Sequence, residues 1–262
     1  MGRPTNKEAY ARLLVLKSVI VHAMTTPPQE MIAQLSAKWS EKDREQFGRD
    51  MRRQSEEIIK HLKEIGAWSY ASPKEIKFLQ SYGPGMDWNY HITATWRKEC
   101  AIVLMWALGL RENWPNIDLE ADSTIVKAVP VIKIGFTGSY PNLKPDQELK
   151  EKRDLIEAWH WRVRTRRLIE EGRSFPADEK LKKAGFNSYD DIVRFSARNH
   201  FKDGDLSEIQ DEEFIFLGKP FRDLNVIEYQ LASDIISERH YAMNWLCGMA
   251  PGNRWDETPT PT

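Results

Sequence analysis

Cysteine is nearly missing from this 262-residue chain: only Cys100 and Cys247 occur, far apart, each within an apolar stretch of helical spacing. A disulfide framework is thereby excluded, and a reducing compartment is expected. An excess of either charge is lacking as well. The 38 basic residues face 39 acidic ones, for a formal net charge of −1. No global field then draws the chain to nucleic acid or to an anionic membrane, and neither is expected as a partner. Long apolar runs are also absent, since the longest, Cys100 to Leu108, falls far short of the roughly 20 residues that span a bilayer. Met1 to Asn6 shows no apolar signal core, so a cytoplasmic location is expected. There is no Gly-x-Ser-x-Gly elbow, phosphate loop or dinucleotide fingerprint, and nothing in the sequence implies a cofactor.

What the chain does have is helical patterning and tryptophan, ten residues of it. Apolar residues recur at helical spacing through Leu13, Leu16 and Ile20, which predicts a helix over 7–23 with Asn6 as its cap. A second helix follows Pro28 towards Trp39, and Ser40 caps a long charged one from Glu41 to about Ile65, ended by Gly66. Ser72-Pro73-Lys74-Glu75 reads as a capping box with proline at the first helical position. Further helices are predicted over 88–110, 147–171, 189–200 and 225–247. Between 124 and 140 a helix to Ala128 gives way to Val129, Val131, Ile132, Ile134 and Phe136, punctuated by Pro130, Gly135 and Gly138. A short strand or hairpin is expected around 129–137. The expected fold is thus mainly α, a multi-helix single domain over 1–262 with an inserted subregion at about 173–218 and an extended tail at 250–262.

Two glutamates fall on apolar stripes. Glu238 lies within the series Ile227, Leu231, Ile235, Ala242, Trp245 and Met249, and Glu99 within Trp96, Val103, Trp106 and Leu110. A carboxylate buried alone costs several kcal/mol, so each needs a cation or a proton. Arg97, Arg239 and the set Arg162, Arg164, Arg166 and Arg167 are the available cations. Two readings follow: structural ion pairs that bracket the tryptophans, or a polar inter-helix pocket that binds a ligand or performs acid–base chemistry. Part of the arginine set reads as a solvated face, because Arg166 with Glu170 and Arg167 with Glu171 have i, i+4 spacing.

Glu157 and His160 form one Glu-x-x-His spacing, the unit that di-metal helical bundles use twice. Glu238-Arg239-His240 does not supply the second. No metal site is therefore expected, although His160 and His240 join the candidate pocket. Cys100 reads as inert within its apolar run. The basic segment Arg49 to Arg53 is diluted by Asp50, Glu56 and Glu57 and reads as a solvated helix face.

Three segments together resemble a known family. They are Thr95 to Cys100 leading into Leu104 to Gly109, His160 to Arg167, and Glu238 to Leu246 with the tail Trp255 to Thr260. In order and spacing they are similar to the bacterial domain-of-unknown-function 4272 family, as are Leu62 to Trp68 and Ser72 to Leu79. The resemblance implies a cytoplasmic, mainly helical bacterial domain and brings no activity with it. Its recognisable polar residues are Arg97, Glu99, Arg164, Arg167, Glu238, Arg239 and Asn244. The chain departs from the pattern in the length of the 173–218 excursion and in having Pro261 where an acidic residue is expected. Without a strong catalytic constellation, the leading expectation is a non-enzymatic helical binding protein, accessory or immunity-type, whose acidic loop from Asp203 to Glu213 suits a basic protein partner. The alternative is an enzyme or ligand-binding protein using the Glu/Arg/His pocket.

Overall fold

Capping chemistry sets most of the helix starts. The structure, a computed structural model, describes residues 2–135 and 138–261. Its helices are α1 (Asn6–Thr25), α2 (Gln29–Ser36), α3 (Glu41–Glu64), α4 (Pro73–Leu79), α5 (Trp88–Ala107), α6 (Asp146–Glu170), α7 (Glu179–Lys183), α8 (Tyr189–Lys202) and α9 (Val226–Leu246). Ser40, Ser72 and Asn225 each accept the N–H of the residue three positions on, whose own acidic side chain returns the bond. At α1 the cap is Thr5, paired with Glu8, and not Asn6. The Asn6 amide instead reaches across to Asn142 and accepts the Leu143 N–H.

Four helices form the centre. α1 packs on α5, α5 on α9, and α9 on α6. α1 is buried almost without interruption from Ala9 to Ile20, and α5 from Glu99 to Ala107. A helix apolar on every side belongs inside, whereas α3, charged along its outer face, covers the bundle. The first turn of α9 lies outside: Ile227, the first member of its predicted stripe, is exposed, and burial begins in earnest at Ala232.

The strands are not where the sequence predicts them. A 3₁₀ turn does run from Ser123 to Ala128, but among the described residues of 129–137 there is no strand; 136 and 137 lie outside the described residues. Pro130 has no N–H to give a ladder. The extended backbone here is held by side chains, with the Tyr10 hydroxyl donating to the Pro130 carbonyl and accepting the Ile132 N–H at 3.1 Å. The Lys17 ammonium takes the Val129 carbonyl at 3.0 Å. The actual sheet is an antiparallel meander of β1 (Ile209–Gln210), β2 (Glu213–Phe216) and β3 (Lys219–Pro220) inside the excursion. Its two turns place Asp211-Glu212 and Leu217-Gly218 at positive φ, as two-residue hairpins require. Phe214 and Phe216 on β2 bury their rings against Trp159 of α6, with centroids 5.0 and 6.4 Å away.

Gly248 closes α9 at φ +76°, and a Cβ there would stand 3.2 Å from the Arg3 backbone. Gly248→Ala should therefore lose stability by about 1–2 kcal/mol from left-handed strain alone, and more through the clash with Arg3. Urea unfolding of the variant at neutral pH measures the loss; Gly109→Ala, at φ +66° with open space around it, supplies the strain-only reference.

Candidate functional site

α5 and α9 cross with their charges exchanged. On α5 the order is Arg97, Glu99; on α9 it is Glu238, Arg239. Arg97 Nη1 meets Glu238 Oε2 at 2.9 Å, and Arg239 Nη2 meets Glu99 Oε2 at 2.8 Å. The glutamates thus take their cations from each other's helix. Of the cations offered by the sequence, Arg97 and Arg239 serve them, and Arg162, Arg164, Arg166 and Arg167 do not.

The inner pair is sealed, with both side chains at 0 % exposure. All three guanidinium nitrogens of Arg239 are engaged. Nε and Nη2 go to Glu99, Nη1 to the carbonyls of Pro115 and Asn116 at 3.3 and 2.7 Å, and Nη2 also to the Leu119 carbonyl at 2.8 Å. The second Glu99 oxygen accepts the Ala121 N–H at 2.6 Å. One ion pair therefore ties the 115–121 loop to both helices. Burial pushes the Glu99 carboxyl up and the Arg239 guanidinium down from their ordinary values, while each partner's charge opposes the shift.

The outer pair is less enclosed, with Glu238 16 % exposed. Burial works against the Arg97 charge, but Glu238 beside it carries the guanidinium well above its ordinary value. The guanidinium also lies over the Tyr241 and Trp255 rings, 4.7 and 5.6 Å from their centroids. Cys100 stands 3.0 Å from Glu238 Oε2. Complete burial, then the neighbouring carboxylate, push its thiol up, so it is a hydrogen-bond donor and not a nucleophile.

His240, Asn244 and His160 form a separate chain. Asn244 Nδ2 donates to the Pro259 carbonyl at 2.8 Å and faces His240 Nε2 at 3.0 Å. His240 must then accept at Nε2 and carry its proton on Nδ1, which lies 2.9 Å from His160 Nδ1. The tail at Pro259 thereby fixes the tautomers of both imidazoles. Burial, and then His160, pull the His240 pKa down to about 3. Burial, with Arg164 second, lowers that of His160. Glu157 turns to Arg153, so the Glu157 and His160 side chains do not converge. Among the described residues no three His, Cys, Asp or Glu side chains are grouped to hold a metal.

Arg164 and Arg167, both expected in the pocket, lie on the solvent face of α6, where Arg167 pairs with Glu171 at 2.8 Å. Arg162 is buried and grips Glu213 of β2 with two bonds of 2.8 and 2.7 Å, under the Phe221 ring. Glu213 thus belongs to the core and not to an acidic surface loop. Of the remaining loop acids, Asp205 meets His200, Asp211 meets Arg222 and Glu212 meets Arg194 and Arg198.

Sequence reasoning missed one further pair, Arg12 of α1 with Glu75 of α4, 2.5 Å apart and both buried. The signal was there: Arg12 is the one charge in the apolar run from Ala9 to Leu16. Glu75 was visible as a capping residue, and the same oxygen serves both purposes, accepting the Ser72 N–H at 2.8 Å. Trp255 of the tail lies between Arg12 and Arg97 and receives the Tyr241 hydroxyl on its carbonyl.

A family model described as Domain of unknown function (DUF4272) matches residues 3–179. That stretch holds Arg12, Glu75, Arg97 and Glu99; Glu213, Glu238 and Arg239 lie beyond it. No curated protein and no solved structure matches the chain.

Two outcomes follow from the geometry. Glu99→Ala leaves Arg239 buried without its anion and should cost about 3–5 kcal/mol in denaturant unfolding; Glu238→Ala, partly solvated, should cost about 1.5–3 kcal/mol. Because folding holds His240 neutral, the unfolded chain binds a proton that the native state refuses. The associated stability is full above pH 6.5 and falls as pH drops, levelling off only near pH 3. The slope is roughly 1.4 kcal/mol per pH unit for each such imidazole. Urea midpoints between pH 7 and 4.5 measure this, and His240→Gln should flatten the dependence.

Proposed function

Because the chain belongs to the domain-of-unknown-function 4272 family, which lends no activity, we propose from its own geometry that it is a non-enzymatic helical binding protein of the bacterial cytoplasm, accessory or immunity-type. The observation that carries this reading is the mutual pairing of the buried charges. Every guanidinium nitrogen of the sealed Arg239 is already engaged, both Glu99 oxygens are too, and Cys100 is held as a thiol inside the helix pair. A reaction at this centre would first have to break the contacts that join α5 to α9. Such contacts suit a scaffold, whose recognition surface then lies elsewhere.

The partner is another protein. Balanced charge supports this over nucleic acid, and no helix among the described residues is long and apolar enough to cross a membrane. Two cysteines without a disulfide fit a reducing compartment. The acidic loop is a weaker argument than the sequence suggested, since most of its carboxylates pair within the chain.

Cross-linking of the tagged, full-length protein in its native host, followed by purification, should return one protein partner in near-equimolar amount, with metal content at trace level. Repeated recovery of the chain alone, together with about one metal ion per chain and titrating carboxylates at the polar centre, would replace this reading with the enzymatic one.

A further inference from the structure

α2, like the shorter α7, buries no residue, although it is eight residues long. Its apolar side faces α3 across an open cleft of about 660 Å³. Trp39 and Phe47, their rings 4.9 Å apart, line it together with Tyr82 and Trp88. Ala33, Ser36, Ala37 and Gly48 line it as well. Met31 and Leu35 stand exposed on the same helix, at 49 % and 43 %.

Gly48 sharpens the reading. It sits inside α3, where glycine weakens a helix relative to alanine, and its conformation is not the left-handed one that would require it. A Cβ built there meets no atom within 4 Å. Nothing within the described chain therefore accounts for glycine at this place. A backbone approaching from outside does, because a missing side chain lets two helices close beyond their usual 8–10 Å.

Charge names the occupant. None of the described residues lining the cleft is acidic. Arg44 lines it and Arg52 lies over the Tyr82 ring at 5.1 Å. Among the described residues neither arginine has a carboxylate within 4.0 Å, while their neighbours Arg49 and Arg53 pair with Glu45 and Asp50. We infer that the α2–α3 cleft receives an amphipathic helix of a partner protein, its apolar ridge seated on Ala33, Ala37 and Gly48 and its flanking acidic residues paired with Arg44 and Arg52. Helix-in-groove recognition of this kind needs apolar anchors at i, i+3/i+4 and i+7. α2 is about 12 Å long, which matches two turns of such a helix. The inference rests on the binding-protein reading and assigns that function its surface.

The test uses Gly48→Leu in the full-length chain, a variant that improves helix propensity while filling the trough. Its melting temperature should stay level or rise. A display library of 16-residue helical peptides is panned against the wild type, and selected sequences should carry apolar residues at i, i+4 and i+7 with acidic flanks. Gly48→Leu should weaken these peptides at least 30-fold, and Arg44→Glu with Arg52→Glu should do so at least 10-fold. Enrichment of basic sequences, equal binding to Gly48→Leu, or no enrichment at all would overturn the cleft assignment. A wild-type dimer abolished by Gly48→Leu would give the cleft to a second copy and overturn it too. Host cross-linking separates the two levels. A partner captured equally by wild type and Gly48→Leu removes the cleft and leaves the binding reading standing; no partner with either removes both.

Discussion

Everything else in this fold hangs from the exchanged charges of α5 and α9. A buried carboxylate and a buried guanidinium each demand a partner, and here the demand is met across the helix interface. Glu99 and Arg239 satisfy each other, and Arg239 then draws in three carbonyls of the loop after α5. Register between the two helices follows, because a shift by one residue would strand four charges at once. The outer pair carries the constraint on to the tail through Arg97 and Trp255. Arg12 with Glu75 repeats the device between α1 and α4, and Arg162 with Glu213 fastens the strand meander to α6.

Periodicity made one half of this legible. A glutamate on an apolar stripe is visible because it breaks a 3.6-residue pattern, and Glu99 is buried as that pattern requires. The identity of its cation was not legible, since Arg239 lies beside the stripe and only the crossing of two helices decides which side chains meet. Arg164 and Arg167, offered as cations by the sequence, lie on the solvent face instead. The hairpins escaped for a different reason. Asp211-Glu212 lacks the Asn-Gly or Asp-Gly signature of a tight turn, so the positive φ of both residues is imposed by the strands around them. The cap at Ser40 and the capping box at Ser72 were read directly, because their geometry is local.

The proposed function separates holding from recognising. Arg97, Glu99 and Arg239 are enclosed, and their charges are used in joining helices. The surface with unmet physical demands lies at the other end of the chain, where α2 covers nothing and aromatic walls stand half-buried. His160 and His240 are joined to the tail through Asn244, which donates to the Pro259 carbonyl and sets the imidazole protons.

The central claim is that Glu99 and Arg239 act on each other, as a structural joint. A double-mutant cycle built from Glu99→Gln, Arg239→Gln and the double variant, each unfolded in urea at pH 7, isolates that interaction. We expect a coupling energy of about 2 kcal/mol or more, with the double variant less damaged than the two single losses summed. Single losses that add to within about 0.5 kcal/mol would mean the two residues are independent, and the joint between α5 and α9 would have to be sought elsewhere.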